Sequence, residues 1–247
     1  MLRRLHLPAL TTGRLALPAD EAHHARDVLR LETGTLVELF DDAGKVARGK
    51  LQLEADAIAF VLVESLHEAF DAGFALTIAT AVPKGERADW MIEKLSELGV
   101  ARLIPLATAR SVVLPSGVGK RQRWERLAIE SAKQSRRRGV LHIDPLTPLS
   151  EALTSGWYLS TDPAAVPLAQ KLAELQEKEL RLYVGPEGGW TDAECAAFDQ
   201  SGLTGVKLTD TILRIETAAI AAAAMVLSRP CIRSHATPLL NGTPRER

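Results

Sequence analysis

Along residues 1–68 the hydrophobic positions alternate with polar ones in short runs. Alternation over 35–40, a turn at Asp41-Asp42-Ala43-Gly44 and a returning run over 45–53 predict a hairpin, and 58–64 adds a third strand. One helix is predicted over 21–31. From residue 74 the pattern changes to short continuous apolar blocks separated by amphipathic stretches. Strands are predicted over 74–82, 102–106, 141–143, 157–160, 180–184 and 205–208, with helices between most of them. The helix over 87–98 ends at Gly99, a residue suited to a left-handed cap. This alternation predicts a doubly wound, mostly parallel α/β sheet behind a small N-terminal β-barrel. The last helix, 218–227, is almost wholly Ala, Ile, Met, Val and Leu, so it must be covered on more than one side. That cover is either the domain's own core or a second copy of the chain. The domains are therefore expected at 1–68 and 74–232, followed by a polar tail over 233–247.

Composition narrows the class. With 247 residues, 46% hydrophobic and 25% charged, the chain is an ordinary globular protein able to build two modest cores. Two cysteines, Cys195 and Cys231, are too few and too far apart for a disulfide framework or a Cys-x-x-Cys metal site. The adjacent pair His23-His24 points two ways on a helix and cannot chelate one ion, so no metal is expected. No apolar run reaches membrane-spanning length and the opening residues lack a signal-peptide core, which leads to an expected cytoplasmic location.

The net charge of −1 does not suggest a polyanionic partner, but its distribution does. Between residues 120 and 138 there are eight Lys or Arg against two Glu. Trp124, Leu127, Ala128 and Ser131 keep helical spacing, so one face can pack while the basic side chains project. Arg136-Arg137-Arg138 then crowd three guanidinium groups at the helix end. Either this is a solvated face, or it tracks phosphate, with which Arg pairs bidentately.

The chemistry gathers in two loops. The predicted strand 180–184 breaks into Gly185-Pro186-Glu187-Gly188-Gly189-Trp190, and Thr191-Asp192-Ala193-Glu194 then announces a helix with a capping box. The spacing is neither Gly-x-Gly-x-x-Gly nor a Walker loop, since no Lys-Ser/Thr follows. A second loop, Thr209-Asp210-Thr211-Ile212-Leu213-Arg214-Ile215-Glu216-Thr217, follows the strand 205–208. Loops at the carboxyl ends of neighbouring parallel strands can converge on one ligand.

Gly185-Pro186-Glu187-Gly188-Gly189, Ile212-Leu213-Arg214 and Glu216-Thr217-Ala218 resemble the motifs of the RsmE family. The likeness extends over nearly the whole chain, through His24 with Val28-Leu29-Arg30, Lys84, Glu97-Leu98-Gly99-Val100, Arg110-Ser111-Val112, and Gln134-Ser135 with Arg137. The resemblance implies a SPOUT-type domain with a trefoil knot, a PUA-like N-terminal barrel and a homodimer. It also implies S-adenosylmethionine-dependent methylation of N3 of a uridine in small-subunit (16S) ribosomal RNA. RNA contacts are expected from Arg4, His24, Arg30, Lys84, Arg110, Arg136, Arg137 and Arg138.

Such a reaction needs a dry pocket for the adenosine, alignment of the methyl group with N3, and a way to remove the N3 proton or stabilise charge on the uracil oxygens. Cofactor contacts are expected from Val184, Gly185, Pro186, Glu187, Gly188 and Gly189, and from Leu208, Ile212, Leu213, Arg214 and Thr217. By resemblance, Leu159, Ser160 and Thr161 close the site. Arg214, always charged, is the candidate for stabilising the uracil oxygens. Glu187 is the candidate proton acceptor, with Glu216 beside it as an alternative, and either could instead bind the cofactor's cationic end or serve only to fix a loop. The chain departs from the family pattern at Leu208-Thr209-Asp210-Thr211, where Leu-Gly-x-Arg is usual, at Ile215, where threonine is usual, and at Lys133, where glutamate is usual. The β-branched Thr209 is expected to restrict the backbone at the site. Two other readings are a SPOUT enzyme acting on another RNA base or a ribose hydroxyl, and an RNA-binding assembly factor without catalysis. Gly185, Glu187, Gly188, Gly189 and Arg214 together argue for catalysis, because a binding module has no need of them.

Overall fold

The computed structural model describes residues 2–54, 58–67, 74–112, 114 and 117–228. The expected tail over 233–247 and Cys231 lie outside the described residues.

The N-terminal unit is a five-stranded sheet in which β1 (Arg3–His6), β3 (Leu36–Phe40), β4 (Val46–Leu53), β5 (Ala59–His67) and β2 (Gly13–Ala16) lie side by side in that order. The predicted hairpin is β3–β4, and Asp41 fixes its turn by accepting from Lys45 N at 2.8 Å and Leu10 N at 3.1 Å. Alternate residues Val37, Leu39, Ala47, Leu51, Val61 and Val63 fill one core. Strands β1 and β2 escape the sequence pattern because Arg4 and His6 of β1 are buried polar residues and β2 is only four residues long. No ladder joins β1 to β2 among the described residues, so the expected barrel is seen as a sheet with two edges. The single helix expected over 21–31 is α1 (Ala19–His23) running into a π-helical turn, His24–Val28, which Arg30 ends at φ 52°. The wider turn is closed by Leu29 N donating to His24 O at 2.9 Å.

The second unit alternates strands and helices. In chain order these are β6 (Ala75–Thr80), α2 (Glu86–Leu98), β7 (Arg102–Ala107), α3 (Val118–Ser135), β8 (His142–Ile143), β9 (Thr147–Pro148) and α4 (Leu149–Ala152). There follow β10 (Trp157–Leu159), β11 (Val166–Pro167), α5 (Leu168–Glu174), β12 (Glu179–Val184), α6 (Asp192–Gln200), β13 (Thr204–Lys207) and α7 (Ile215–Leu227). The sheet runs β11-β13-β10-β12-β6-β7-β8, every pair parallel, with β9 also on β7. Both faces are covered, which is why its strands read as continuous apolar blocks. Leu76, Ile78, Leu103, Leu182 and Val184 face the larger core with α2, α3, α5 and α7. Ala79, Ile104, Leu106 and Tyr183 face the other side with α4 and Phe198 of α6.

The last turn of α3 joins the two units. Arg4 of β1 donates to Ala132 O at 2.9 Å, pairs with Glu38 at 3.1 Å and lies 4.0 Å over the Phe40 ring. Lys133 makes a buried ion pair with Glu21, whose other oxygen accepts from His6 N at 3.2 Å. Lysine in place of the family's usual glutamate at 133 is thereby explained, since Glu21 supplies the carboxylate from the opposite side.

Candidate cofactor and RNA site

Because the strands are parallel, the chain leaves β10, β12 and β13 at one edge, and these three are neighbours in the order β13-β10-β12. Their loops, 160–165, 185–191 and 208–214, therefore meet at the carboxyl edge where open α/β sheets take ligands. The second and third are the two glycine- and threonine-bearing loops of the sequence. Ser160 and Thr161 begin the first, directly after Leu159 of β10, so topology brings the three loops that carry most of the expected cofactor residues to this one edge, with Thr217 following in the first turn of α7.

The loop after β12 is held rigidly. Trp190 Nε1 donates to Leu159 O at 3.0 Å, and its ring meets Phe198 edge-on with centroids 4.9 Å apart. Gly185 lies under that indole, and a Cβ there would come within 2.9 Å of Trp190 Cε2. Gly189 takes φ +70°, a conformation that side chains rarely adopt. The capping box is present as expected: Thr191 Oγ1 accepts from Glu194 N at 3.2 Å while Glu194 accepts from Thr191 N at 2.8 Å. Glu194 also accepts from Ala109 N at 2.9 Å, which ties in the loop after β7.

Arg110 completes that tie. Its Nη1 donates to Gly188 O at 2.6 Å and to Trp190 O at 3.3 Å. This residue, expected to touch RNA, is thus also a clamp on the cofactor loop, a role that sequence spacing could not reveal because 78 positions separate Arg110 from Gly188. Trp190 was missed as a site residue for the same reason, although its place beside three glycines was a usable signal.

The loop after β13 explains the departures from the family pattern. Thr209 Oγ1 donates to Thr211 O at 2.7 Å, and Asp210 pairs with Lys207 at 2.9 Å. Thr209 is not among the described residues with positive φ, so the threonine carries no backbone strain and braces the turn by its own hydroxyl. Ile212 is 83% exposed, and Arg214 is exposed as the N-cap of α7. Glu187 is exposed as well. A cofactor with an adenosine and a charged amino-acid end fits this donor set. Gly189 leaves backbone uncovered by side chains, Ile212 and Leu213 offer apolar surface, and Arg214 and Glu187 offer charge of either sign.

The basic cluster is used otherwise than the sequence suggested. Arg137 Nη1 donates to Ser96 O at 2.8 Å and Val100 O at 3.0 Å, and burial pushes its guanidinium down to about 10, so it is charged at neutral pH inside the protein. Arg136 donates to Leu2 O at 2.7 Å and reaches Glu38 at 3.4 Å, and Arg4 is buried against the same glutamate. Arg123 pairs with Asp89 and Arg121 with Glu125. The crowded guanidinium groups are therefore relieved by carbonyls and carboxylates of the chain itself, and Arg4, Arg136 and Arg137, expected to contact RNA, are each engaged within the chain. Arg30, Lys84, Arg110 and Arg138 are exposed and His24 is half-buried. Two cavities, of about 340 Å³ beside Gly156 and Lys171 and about 470 Å³ beside Lys120 and Pro145, lie away from the three loops.

A two-sided parallel sheet with a braced glycine loop at its carboxyl edge, joined to a small β domain, is the arrangement of an RNA methyltransferase. Residues 71–227 match the RNA methyltransferase domain family and residues 17–63 the RNA methyltransferase PUA domain family, and the chain belongs to this family. More narrowly, it belongs with the ribosomal RNA small subunit methyltransferases E, the RsmE family of the sequence likeness. It is 32% identical over 226 residues to the Synechocystis protein of that name, covering 86% of this chain and 72% of the relative. The Bacillus subtilis protein is 29% identical over 243 residues, 92% of each chain. The corresponding methyltransferase of Neisseria gonorrhoeae, solved bound to S-adenosyl methionine, matches with a TM-score of 0.79 at 28% identity, over 91% of this chain and 96% of that one.

Proposed function

We propose that this protein transfers the methyl group of S-adenosylmethionine to N3 of a uridine in 16S ribosomal RNA. The observation that carries the reading is the convergence of the loops after β10, β12 and β13 at one sheet edge in a chain of the RsmE family. The cofactor supplies an electrophilic methyl group on a sulfonium. Backbone of Val184, Gly185, Pro186, Gly188, Gly189, Leu208, Ile212 and Leu213 binds its adenosine, with Leu159, Ser160, Thr161 and Thr217 closing the pocket, while Trp190 and Arg110 keep the central loop in place. Arg214, exposed on the rim, faces charge developing on the uracil oxygens. The PUA domain, fixed to α3 by Arg4 and Lys133, holds RNA at a set distance, with Arg30, Lys84, Arg110 and Arg138 towards phosphate and His24 beside them. Methyl-labelled cofactor incubated with small ribosomal subunits should yield labelled 3-methyluridine on nucleoside analysis. Label in another base or in a ribose would replace this reading by the first alternative, and RNA binding without any label by the assembly factor.

The trefoil knot, the cytoplasmic location and the homodimer belong to the same reading. No helix of the described residues is long and apolar enough to cross a membrane. For the dimer, α7 offers a half-exposed stripe of Ala218, Ala221, Ala224 and Met225. Ala222, by contrast, is fully buried in its own core, so a charge there would test folding. Ala221→Arg is expected to convert a dimer to a folded monomer by light scattering, since a charge on a two-fold interface appears twice. A parent protein that is monomeric and fully active would remove the dimer from the reading.

A further inference from the structure

Glu216 stands on the first turn of α7, two residues beyond Arg214, with a side chain only 6% exposed. Its Oε1 lies 3.5 Å from Arg87 Nη1, too far for a good hydrogen bond, and its Oε2 finds no hydrogen-bond partner among the described residues. The other buried carboxylates are satisfied. Glu21 is held by Lys133 and His6 N, Asp41 by Leu10 N and Lys45 N, and Glu194 by Thr191 and Ala109 N. A buried carboxylate with an open oxygen destabilises a fold, and a glutamine of the same shape would cost less. Stability therefore does not account for Glu216. Its place does suggest an account: α7 begins directly after the loop 208–214 and packs on α2, which follows β6, the neighbour of β12.

We propose that Glu216 Oε2 accepts a nitrogen-borne proton donor of the ligands at this edge, an inference that rests on the methyl-transfer reading above. Two donors have that chemistry, the imide N3–H of the target uracil and the ammonium of the cofactor's amino-acid end. With the imide, the proton passes from N3 to Oε2 while the N3 electron pair bonds the methyl carbon. The carbon–sulfur electrons stay on sulfur, and Glu216 returns the proton to solvent. With the ammonium, the contact is an ion pair and no proton moves. Arg87, 39% exposed on its side chain, lies on the side of the other carboxylate oxygen as a loose ion pair.

The test compares the parent with Glu216→Gln and Arg87→Ala. The ligand-free Glu216→Gln protein should melt at or above the parent temperature, because a buried charge with one oxygen unsatisfied has been removed. If the ammonium is the donor, its affinity for S-adenosylmethionine should fall at least tenfold by calorimetry. If the imide is the donor, that affinity should persist while kcat falls at least a hundredfold. Affinity and kcat both within threefold of the parent would overturn the proposal. So would an Arg87→Ala protein that reproduces the full Glu216→Gln loss, which would leave Glu216 only as an anchor for that arginine. A parent that binds no S-adenosylmethionine would instead overturn the methyl-transfer reading itself.

Discussion

Gly185→Val is expected to weaken S-adenosylmethionine binding by at least a hundredfold while leaving the circular dichroism spectrum unchanged. An added Cβ would sit 2.9, 3.2 and 3.3 Å from three atoms of the Trp190 indole, closer than packed carbon atoms allow. The indole cannot simply step aside, because it is hydrogen-bonded to Leu159 O and wedged against Phe198. Relief has to come from the loop, which must open and take its backbone away from the ligand. A hundredfold loss corresponds to about 2.7 kcal/mol, a modest demand on a loop moved by an ångström or more. The sheet should survive, since Gly185 follows the last residue of β12 and lies outside its ladder with β6. Gly188→Val makes the contrast. Its Cβ would meet the Arg110 side chain at 3.1 Å, and that side chain is exposed and can yield, so the loss there should be below tenfold. Calorimetry on both variants checks the pair, and unchanged affinity in Gly185→Val would take this loop out of the site.

The second large effect is on stability. Arg137→Ala removes a half-buried guanidinium that donates to Ser96 O and Val100 O, on either side of the Gly99 cap that ends α2 at φ 93°. Hydrogen bonds to a charged group contribute about 1.5–3 kcal/mol each, so two of them put the loss at about 3 kcal/mol or more. For a chain of this length that lowers the melting temperature by about 6–12 °C. Arg137→Glu should be worse, because a carboxylate would face two carbonyl oxygens with no donor between them. Measured well below its own transition, Arg137→Ala should keep the parent's affinity for RNA. A normal melting temperature with weakened RNA binding would return Arg137 to the surface role that its neighbours in sequence suggested.

Arg137 also illustrates what a sequence leaves open. A run of three arginines reads as surface charge because charged residues are rarely buried unpaired. Here the acceptors are carbonyls 37 and 41 positions away, with no side-chain signal of their own. Arg4 and Glu21 were opaque in the same manner, for their partners Ala132 O and Lys133 lie across the junction of the two units. Trp124, Ala128 and Ser131, in contrast, were placed correctly on the inner face of α3, because helical spacing is a local property. The Thr191–Glu194 capping box was legible for that reason too, its partners being three residues apart.

What the sequence determined by itself was therefore the local and periodic part. It supplied the change from alternating to continuous apolar runs at residue 74, six of the eight described strands of the parallel sheet (the two-residue β9 and β11 escaped it), the left-handed end of α2 at Gly99 and the two loops that carry the chemistry. Tertiary structure alone decided the rest. It placed β12 between β10 and β6, so that three loops meet, and laid Arg110 across Gly188 and Trp190. It turned Arg137 of the basic run back onto the end of α2 and buried Glu216 with one oxygen open. The physical reason is range: propensity, capping and turn chemistry act over a few residues, whereas burial and the pairing of buried polar groups depend on which distant segments the packed sheet brings together.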